Sequence, residues 1–478
     1  MYKRINVLLI VFLLIFAFLL AKVGYLSLFK HTQYSQQIVN QRMKTLIYNC
    51  NRGDILDRNL DSLLKTEETQ GWASYCPENK KVIFSQEKAD EAKPVTITKR
   101  KTDIANHLLG LINHHNLYSI FGYKGVSGIE AQYNDDLAAA PSKVSAFTDV
   151  YGELLSPEHF HDIKNPENET VVVLTIDSSL QQQVEYIVDK NDNMQQGAVI
   201  IMDPSTGEVL TMLSRPTHNY EQADDGSHIN KAITIHKQYN PASLFKIVTS
   251  ITAIENGYKL QDTFLCGGDS CPVVHGRVTL QEAFAYSCNE VFHEITTDIG
   301  PSEILKTASK LGLGKSTEVG LDFESKGKIP QIDTVSGIKG NRLLAMGQGQ
   351  LEVTPIQIAK LTSIVANGGY NIHPNIVHYI GEKPTLPSSS IDFFNAKPII
   401  SLDTSNKLKK MMQSTISYGT AKDILYGGGA KTGTADNGLR WIAGFFPYEN
   451  PKYVITILVE NGQSPVKIMQ EILSEIGL

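Results

Sequence analysis

The chain lacks the marks of a nucleic-acid binder. Its formal net charge is -6 and its pI about 6.1, and no basic stripe with interleaved aromatics runs through it. Its 36 glycines fall into no collagen-like or linker-like repeat. Cysteine is scarce, with five in 478 residues. Cys266 and Cys271 bracket Gly267-Gly268-Asp269-Ser270, and Cys50 and Cys76 make a second candidate couple. Each couple is either a disulfide or two free thiols, since sequence carries no distances. Cys266 and Cys271 have no second matching pair of ligands at structural-site spacing, so no metal is expected. His159-Phe160-His161 lacks a third ligand and reads as exposed histidines.

Long apolar runs are also absent, except at the N-terminus. Ile5 to Ala21 is interrupted only by Asn6, and Val23 to Phe29 extends the stretch beyond Lys22. Together they can cross a hydrocarbon core of ~30 Å. No small-x-small cleavage site precedes the polar sequence. A retained signal anchor over residues 1–29 is therefore expected rather than a cleaved leader. Lys3 and Arg4 would stay in the cytoplasm, and the rest of the chain would lie outside. The length predicts two or three domains.

Residues 30–165 show short strand-like pieces, turn clusters and no catalytic pattern. From 166 to 478 the texture changes. Thr170 to Ile176 is a β-branched run suited to a buried strand, and Ser178 to Asp189 has helical periodicity. Gly197 to Met202 and Val209 to Ser214 flank Asp203-Pro204-Ser205-Thr206-Gly207, which predicts a hairpin. Ala430 to Ala435 and Arg440 to Phe446 flank Asp436-Asn437-Gly438, a second hairpin signal. Tyr453 to Val459 reads as another strand and Val466 to Ile476 as an amphipathic helix. Strands at both ends with helices between them predict an α+β fold. Its antiparallel sheet would be assembled from distant segments around a helical insertion.

Three short motifs carry the chemistry. In Asn240-Pro241-Ala242-Ser243-Leu244-Phe245-Lys246, Asn240 is a good N-cap and Pro241 suits the first helical position. Asn256-Gly257 is a left-handed stop. Ser243 then lies in the first turn, where unpaired N–H groups and the helix dipole favour a developing anion. Lys246 lies on the same face and serves as its base only if burial or another cation keeps it neutral. Ser-x-x-Lys alone is a weak signal. Ser287-Cys288-Asn289, after a helix opened by the capping box Thr279-Leu280-Gln281-Glu282, adds a hydroxyl and an amide. Lys431-Thr432-Gly433-Thr434 lies on the strand before the second turn. There Gly433 leaves the edge open to an extended peptide, which would add to it by β-augmentation.

In this order, Ser-x-x-Lys, Ser-x-Asn and Lys-Thr-Gly resemble the motifs of penicillin-binding proteins and serine β-lactamases, a close relative of which is a known motif set. Gly347-Gln348-Gly349 with Thr354-Pro355 resembles the family's segment before its third motif. Gly197-Ala198-Val199, Asp203-Pro204 and Gly207-Glu208 resemble the opening hairpin of its transpeptidase domain. Arg52-Gly53-Asp54-Ile55-Leu56-Asp57-Arg58-Asn59 and Gly128-Ile129-Glu130 resemble motifs of the pedestal of class B, monofunctional members. Leu60 stands where that pattern has glycine.

The resemblance implies a transmembrane helix, a short pedestal over 30–165 and a β-lactamase-like transpeptidase domain over 166–478, its central antiparallel sheet flanked by helices. It implies a peptidoglycan D,D-transpeptidase of the bacterial cytoplasmic membrane, single-pass with its catalytic domain outside. Stem peptides and β-lactams would bind it, a membrane glycosyltransferase is an expected partner, and no cofactor is needed. Ser243 would be the nucleophile, Lys246 its base and Ser287 the proton relay. Asn289, Lys431, Thr432, Gly433 and Thr434 would bind substrate, Lys431 holding its terminal carboxylate and lowering the pKa of Lys246. The N–H groups of Ser243 and Thr434 would form the oxyanion hole. A D,D-carboxypeptidase, a serine β-lactamase and a β-lactam-binding morphogenetic scaffold remain alternatives.

Overall fold

A computed structural model describes residues 2–35, 43–47, 52–76, 81–85, 93–112, 125–138, 143–147, 161–163, 170–190, 194–217, 234–322, 324–384, 398–435 and 437–477. Cys50, His159 and Phe160 lie outside the described residues. The first element is helix α1, Tyr2–Phe29. Its 28 residues extend about 42 Å at the usual rise, and none of them is buried. Its apolar window has a mean hydropathy of 2.9, so it is long and apolar enough to cross a bilayer.

The central sheet consists of β1 (Met194–Met202), β2 (Val209–Arg215), β3 (Gly429–Thr434), β4 (Arg440–Phe446) and β5 (Tyr453–Gly462). The spatial order is β2-β1-β5-β4-β3, and every pairing is antiparallel. Both predicted hairpins form, and β5 joins them by pairing with β1. Asp203 shapes the first turn. Its Oδ1 accepts from the amide of Ser205 at 2.7 Å and its hydroxyl at 2.6 Å.

The principal helices around the sheet are α2 (Ser178–Asp189), α3 (Lys246–Glu255), α4 (Leu280–Ala285), α5 (Asn289–Ile299), α6 (Pro355–Ala366), α7 (Leu402–Ser417) and α8 (Pro465–Glu475). The strands alternate between two cores. Val199, Ile201, Ile455 and Ile457 face α2 and α8, whereas Ala198, Ile200, Met202 and Trp441 pack with α3, α6 and α7. Both faces of the sheet are covered, so its strands read as continuous apolar runs rather than as alternating ones.

One strand is placed elsewhere than in that sheet. Thr170–Leu174 pairs in parallel with Ile55–Leu56 and antiparallel with Val377–Glu382. The segment that resembles a pedestal motif is therefore hydrogen-bonded to the strand just ahead of the central sheet, and that strand pairs on its other edge with chain between the second and third catalytic motifs. Side chains reinforce the junction. Asp57, fully buried, accepts from the Ser178 hydroxyl at 2.7 Å and from the Asn59 and Asp61 amides at 2.8 and 2.9 Å. Arg58 Nη2 meets Glu208 Oε2 at 3.1 Å.

The two pedestal-like motifs also meet each other. Arg52 Nε pairs with the Glu130 carboxylate, Nη2 donates to the Glu130 carbonyl at 2.7 Å and Nη1 to Asn134 Oδ1 at 3.1 Å. Leu60 has a φ of +71°, so the position where the related pattern has glycine is left-handed here. The Arg52 and Glu130 side chains are only 1% and 3% exposed. Removing one partner of such a pair strands a buried charge. Glu130→Ala is expected to destabilise the fold by about 3–5 kcal/mol. Urea unfolding followed by circular dichroism checks this, and an unchanged midpoint would show that the pair is not structural.

Candidate active site

The segment before Ser243 is held from three directions. Tyr239 and Val353 exchange backbone hydrogen bonds at 2.9 and 2.8 Å. Ala242 N–H donates to the Gly347 carbonyl at 2.9 Å, and Trp441 Nε1 donates to the Asn240 carbonyl at 3.1 Å. Asn240 does not cap the helix as expected. Its Nδ2 donates to the Gly349 and Leu351 carbonyls at 3.1 and 2.5 Å instead. The reason lies in the local helix type: Ala242–Phe245 is a 3₁₀ turn, and α3 begins only at Lys246. Ala242 has a φ of +48°, an uncommon and costly conformation for a residue with a side chain. Gly347 is required beside it, because a Cβ there would stand 2.1 Å from the Ala242 carbonyl oxygen.

Lys246 is fully buried, and its Nζ has four polar neighbours. These are Ser243 Oγ at 3.0 Å, the Ser287 carbonyl at 2.7 Å, Ser287 Oγ at 3.2 Å and Asn289 Oδ1 at 2.7 Å. Asn289 Nδ2 donates to the Ser270 carbonyl at 3.1 Å, which leaves Oδ1 directed at the lysine. A neutral amine has two N–H groups and one lone pair. The Ser287 carbonyl and Asn289 Oδ1 can only accept, so they take the two hydrogens. The lone pair is left for a serine hydroxyl, and Ser243 is the nearer one. Burial lowers the pKa of Lys246 to about 7.

Ser287 lies between two lysines, with Lys431 Nζ 3.0 Å from its Oγ. Its φ of +59° turns the hydroxyl back toward them from the start of α5. The placement of Lys431 departs from the expectation of an ammonium presented to substrate. It is fully buried, and its Nζ donates to the Thr432 carbonyl at 2.9 Å as well as to Ser287. Burial, and then the neighbouring Lys246, push its pKa well below the ordinary lysine value. Desolvation is the leading cause for both lysines.

Thr432 and Thr434 share strand β3, Thr434 being exposed and Thr432 half-buried beside the Thr420 hydroxyl. Thr420 is a neighbour that sequence reasoning missed. Gly433 also borders the nucleophile's turn. A Cβ there would come within 3.3 Å of the Pro241 carbonyl and of the Ser243 amide, so the glycine lets β3 lie against the nucleophile's turn.

The structure decides between the two alternatives for the first cysteine couple. Cys266 and Cys271 do not form a bridge, and Cys266, Cys271 and Cys288 are all free. Cys266 ends the strand Thr263–Cys266, opposite Gly276, so its Sγ meets His275 Nδ1 at 3.3 Å. The intervening loop carries Cys271 to Cys288, with the two Sγ atoms 3.5 Å apart. The ground on which a metal was set aside therefore does not hold. Third and fourth donors exist, and one of them is the middle residue of Ser287-Cys288-Asn289. A third cysteine inside that motif was the signal that sequence reasoning passed over.

Residues 197–477 match the model of the penicillin binding protein transpeptidase domain. The chain belongs to that family. Stage V sporulation protein D of Bacillus subtilis is 28% identical over 455 residues, covering 84% of this chain and 69% of that protein. The peptidoglycan D,D-transpeptidase FtsI of Buchnera aphidicola is 27% identical over 418 residues, covering 78% and 69%. The structure of a penicillin-binding protein, PBP2, in complex with MreC from Helicobacter pylori superposes with a TM-score of 0.68 at 21% identity. That match covers 91% of this chain and 99% of that one.

The lysine predicts a pH profile. Acylation by a fluorescent penicillin needs Lys246 neutral, so its second-order rate should fall about tenfold per pH unit below about 7 and level off above it. Stopped-flow or gel-based labelling across that range checks this, and a flat profile would contradict it. Gly433→Ala should shift the Ser243 turn by a few tenths of an ångström and slow acylation about tenfold or more. Rates measured beside thermal unfolding separate that effect from a general loss of fold.

Proposed function

We propose that this chain is a class B peptidoglycan D,D-transpeptidase that cross-links stem peptides through an acyl-enzyme on Ser243. The observation that carries this reading is the contact of a buried Lys246 with Ser243 Oγ at 3.0 Å while two acceptors occupy its hydrogens. Family membership and relatives named as D,D-transpeptidases agree with it.

Ser243 Oγ attacks the penultimate D-Ala carbonyl as its proton passes to Lys246 Nζ. The Ser243 and Thr434 N–H groups hold the oxyanion. Collapse of the tetrahedral adduct breaks the C–N bond, and the proton reaches the departing D-Ala amine through Ser287. An amine of a second stem peptide then attacks the ester, gives its proton back through the same relay and releases Ser243. Lys431 holds Ser287 in place and puts a basic group behind Thr432 and Thr434, whose hydroxyls bind the terminal carboxylate. Asn289 orients Lys246 and binds the peptide backbone. A β-lactam acylates the same serine and stays, because its leaving group remains tethered.

In the same reading, α1 anchors the chain in the cytoplasmic membrane with Lys3 and Arg4 inside. Residues 30–165 form a pedestal that holds the transpeptidase domain, 166–478, above the bilayer. A membrane glycosyltransferase that polymerises the glycan is the natural partner, since cross-linking consumes its product. The complex of the Helicobacter pylori protein with MreC agrees with assembly on partner proteins.

The test uses the full chain in detergent with uncross-linked peptidoglycan strands. Wild type should yield dimeric muropeptides, and Ser243→Ala should yield none and lose penicillin labelling. Trimming of pentapeptides without dimers would replace this reading with a D,D-carboxypeptidase.

A further inference from the structure

Next to the catalytic lysine lies a group of side chains that the proposed reaction does not use. Cys266, Cys271, His275 and Cys288 direct their Sγ and Nδ1 or Nε2 atoms together, all within 4.8 Å of one another. Cys266 and Cys288 are fully buried, and Cys271 and His275 are partly so. We propose that these four residues bind one zinc ion, and that the ion fixes the Ser287-Cys288-Asn289 motif against Lys246.

The geometry fits. Tetrahedral zinc takes sulfur at about 2.3 Å and imidazole nitrogen at about 2.0–2.1 Å, so donor atoms lie about 3.4–3.8 Å apart along the tetrahedron's edges. Cys271 Sγ to Cys288 Sγ is 3.5 Å and Cys266 Sγ to His275 Nδ1 is 3.3 Å, each within a few tenths of an ångström of those edges. A disulfide needs about 2.05 Å, so the Cys271–Cys288 pair is spaced as co-ligands and not as a bridge. The donor set agrees as well. Three thiols and one imidazole are the Cys₃His set of structural zinc sites, and four protein ligands leave no open position for catalysis. Binding would replace three S–H protons, which go to solvent, with three Zn–S bonds.

The surroundings are those of a ligand loop tied to the motif. Asn289 N–H donates to Cys271 Sγ at 3.1 Å, the kind of contact a metal-bound thiolate receives. Glu290 Oε2 accepts from the Gly268 amide at 2.9 Å, and His275 stacks on Tyr286 with ring centroids 5.7 Å apart. Cys288 stands between the two residues that engage Lys246 Nζ, through the Ser287 carbonyl and Asn289 Oδ1. A zinc ion held there would join the 266–275 loop to the start of α5. Its loss would release the Asn289 contacts that orient the lysine. Zinc is thus a positioning element for the proposed chemistry and touches no reacting atom.

The experiment measures metal first and activity second. Full-length protein purified in detergent under reducing conditions, without chelator, is analysed by plasma mass spectrometry. About one zinc per chain is expected. Cobalt substitution of the wild type should give the visible absorption of tetrahedral thiolate-bound Co(II). Cys271→Ser and His275→Ala should lose the metal, whereas Cys76→Ser and Ser243→Ala should retain it. Retention by Ser243→Ala keeps this result separate from the fate of the catalytic reading. His275→Ala should also slow penicillin acylation about tenfold with its circular dichroism unchanged. Wild-type protein that stays metal-free after incubation with zinc chloride would overturn the proposal. So would a Cys271–Cys288 disulfide in the peptide map of protein handled without oxidant.

Discussion

A fully buried lysine amine is the constraint around which the site is built. Among the described residues no carboxylate approaches Lys246 Nζ; its neighbours are two hydroxyls, a carbonyl and an amide oxygen. In water the amine would be protonated, and an ammonium has no lone pair with which to take a proton. Desolvation removes that obstacle, but only while every remaining hydrogen of the amine has an acceptor. Much of the neighbouring structure serves that condition. Ser287 bends into a left-handed conformation, Asn289 is locked by Ser270, and the Phe292 ring lies 5.4 Å from Nζ. Lys431 extends the arrangement to strand β3, so the three motifs form one connected network around Ser287.

The same economy governs the nucleophile's turn. Ser243 is presented by a 3₁₀ turn entered through a left-handed alanine, and such a turn holds only if its surroundings over-determine it. The Gly347 carbonyl accepts from the Ala242 amide, the Trp441 indole donates to the Asn240 carbonyl, and Gly433 admits β3. Each comes from a different part of the chain. Farther off, Asp57 and Arg58 bind the segment ahead of the sheet to α2 and the first hairpin, and the Arg52–Glu130 pair ties that segment to the helix at Gly128–Gln132.

Periodicity and turn chemistry made much of this legible beforehand. The apolar runs at Met194–Met202 and Tyr453–Gly462, the Asp203 turn, the capping box at Thr279 and the left-handed Gly257 all appear where their local chemistry predicts. The β-branched run Thr170 to Ile176 forms a strand over Thr170–Leu174, but such a run reports burial and not pairing, so its partners are not legible in it. Asn240 looked like a cap because its residue type favours one. Its amide found better acceptors in Gly349 and Leu351, which no local rule could place beside it.

By itself the sequence determined the apolar N-terminal helix, the strand and helix types and the identity of the three motifs. These depend on residues a few positions apart, whose interactions are set by the backbone repeat. Tertiary structure alone decided that Lys431 faces Ser287 instead of solvent, that Gly433 serves the Ser243 turn and that Cys271 meets Cys288 rather than Cys266. It also decided that desolvation, more than a second cation, keeps Lys246 neutral. Burial and donor geometry are properties of segments brought together from across the chain, and spacing along the chain does not encode them.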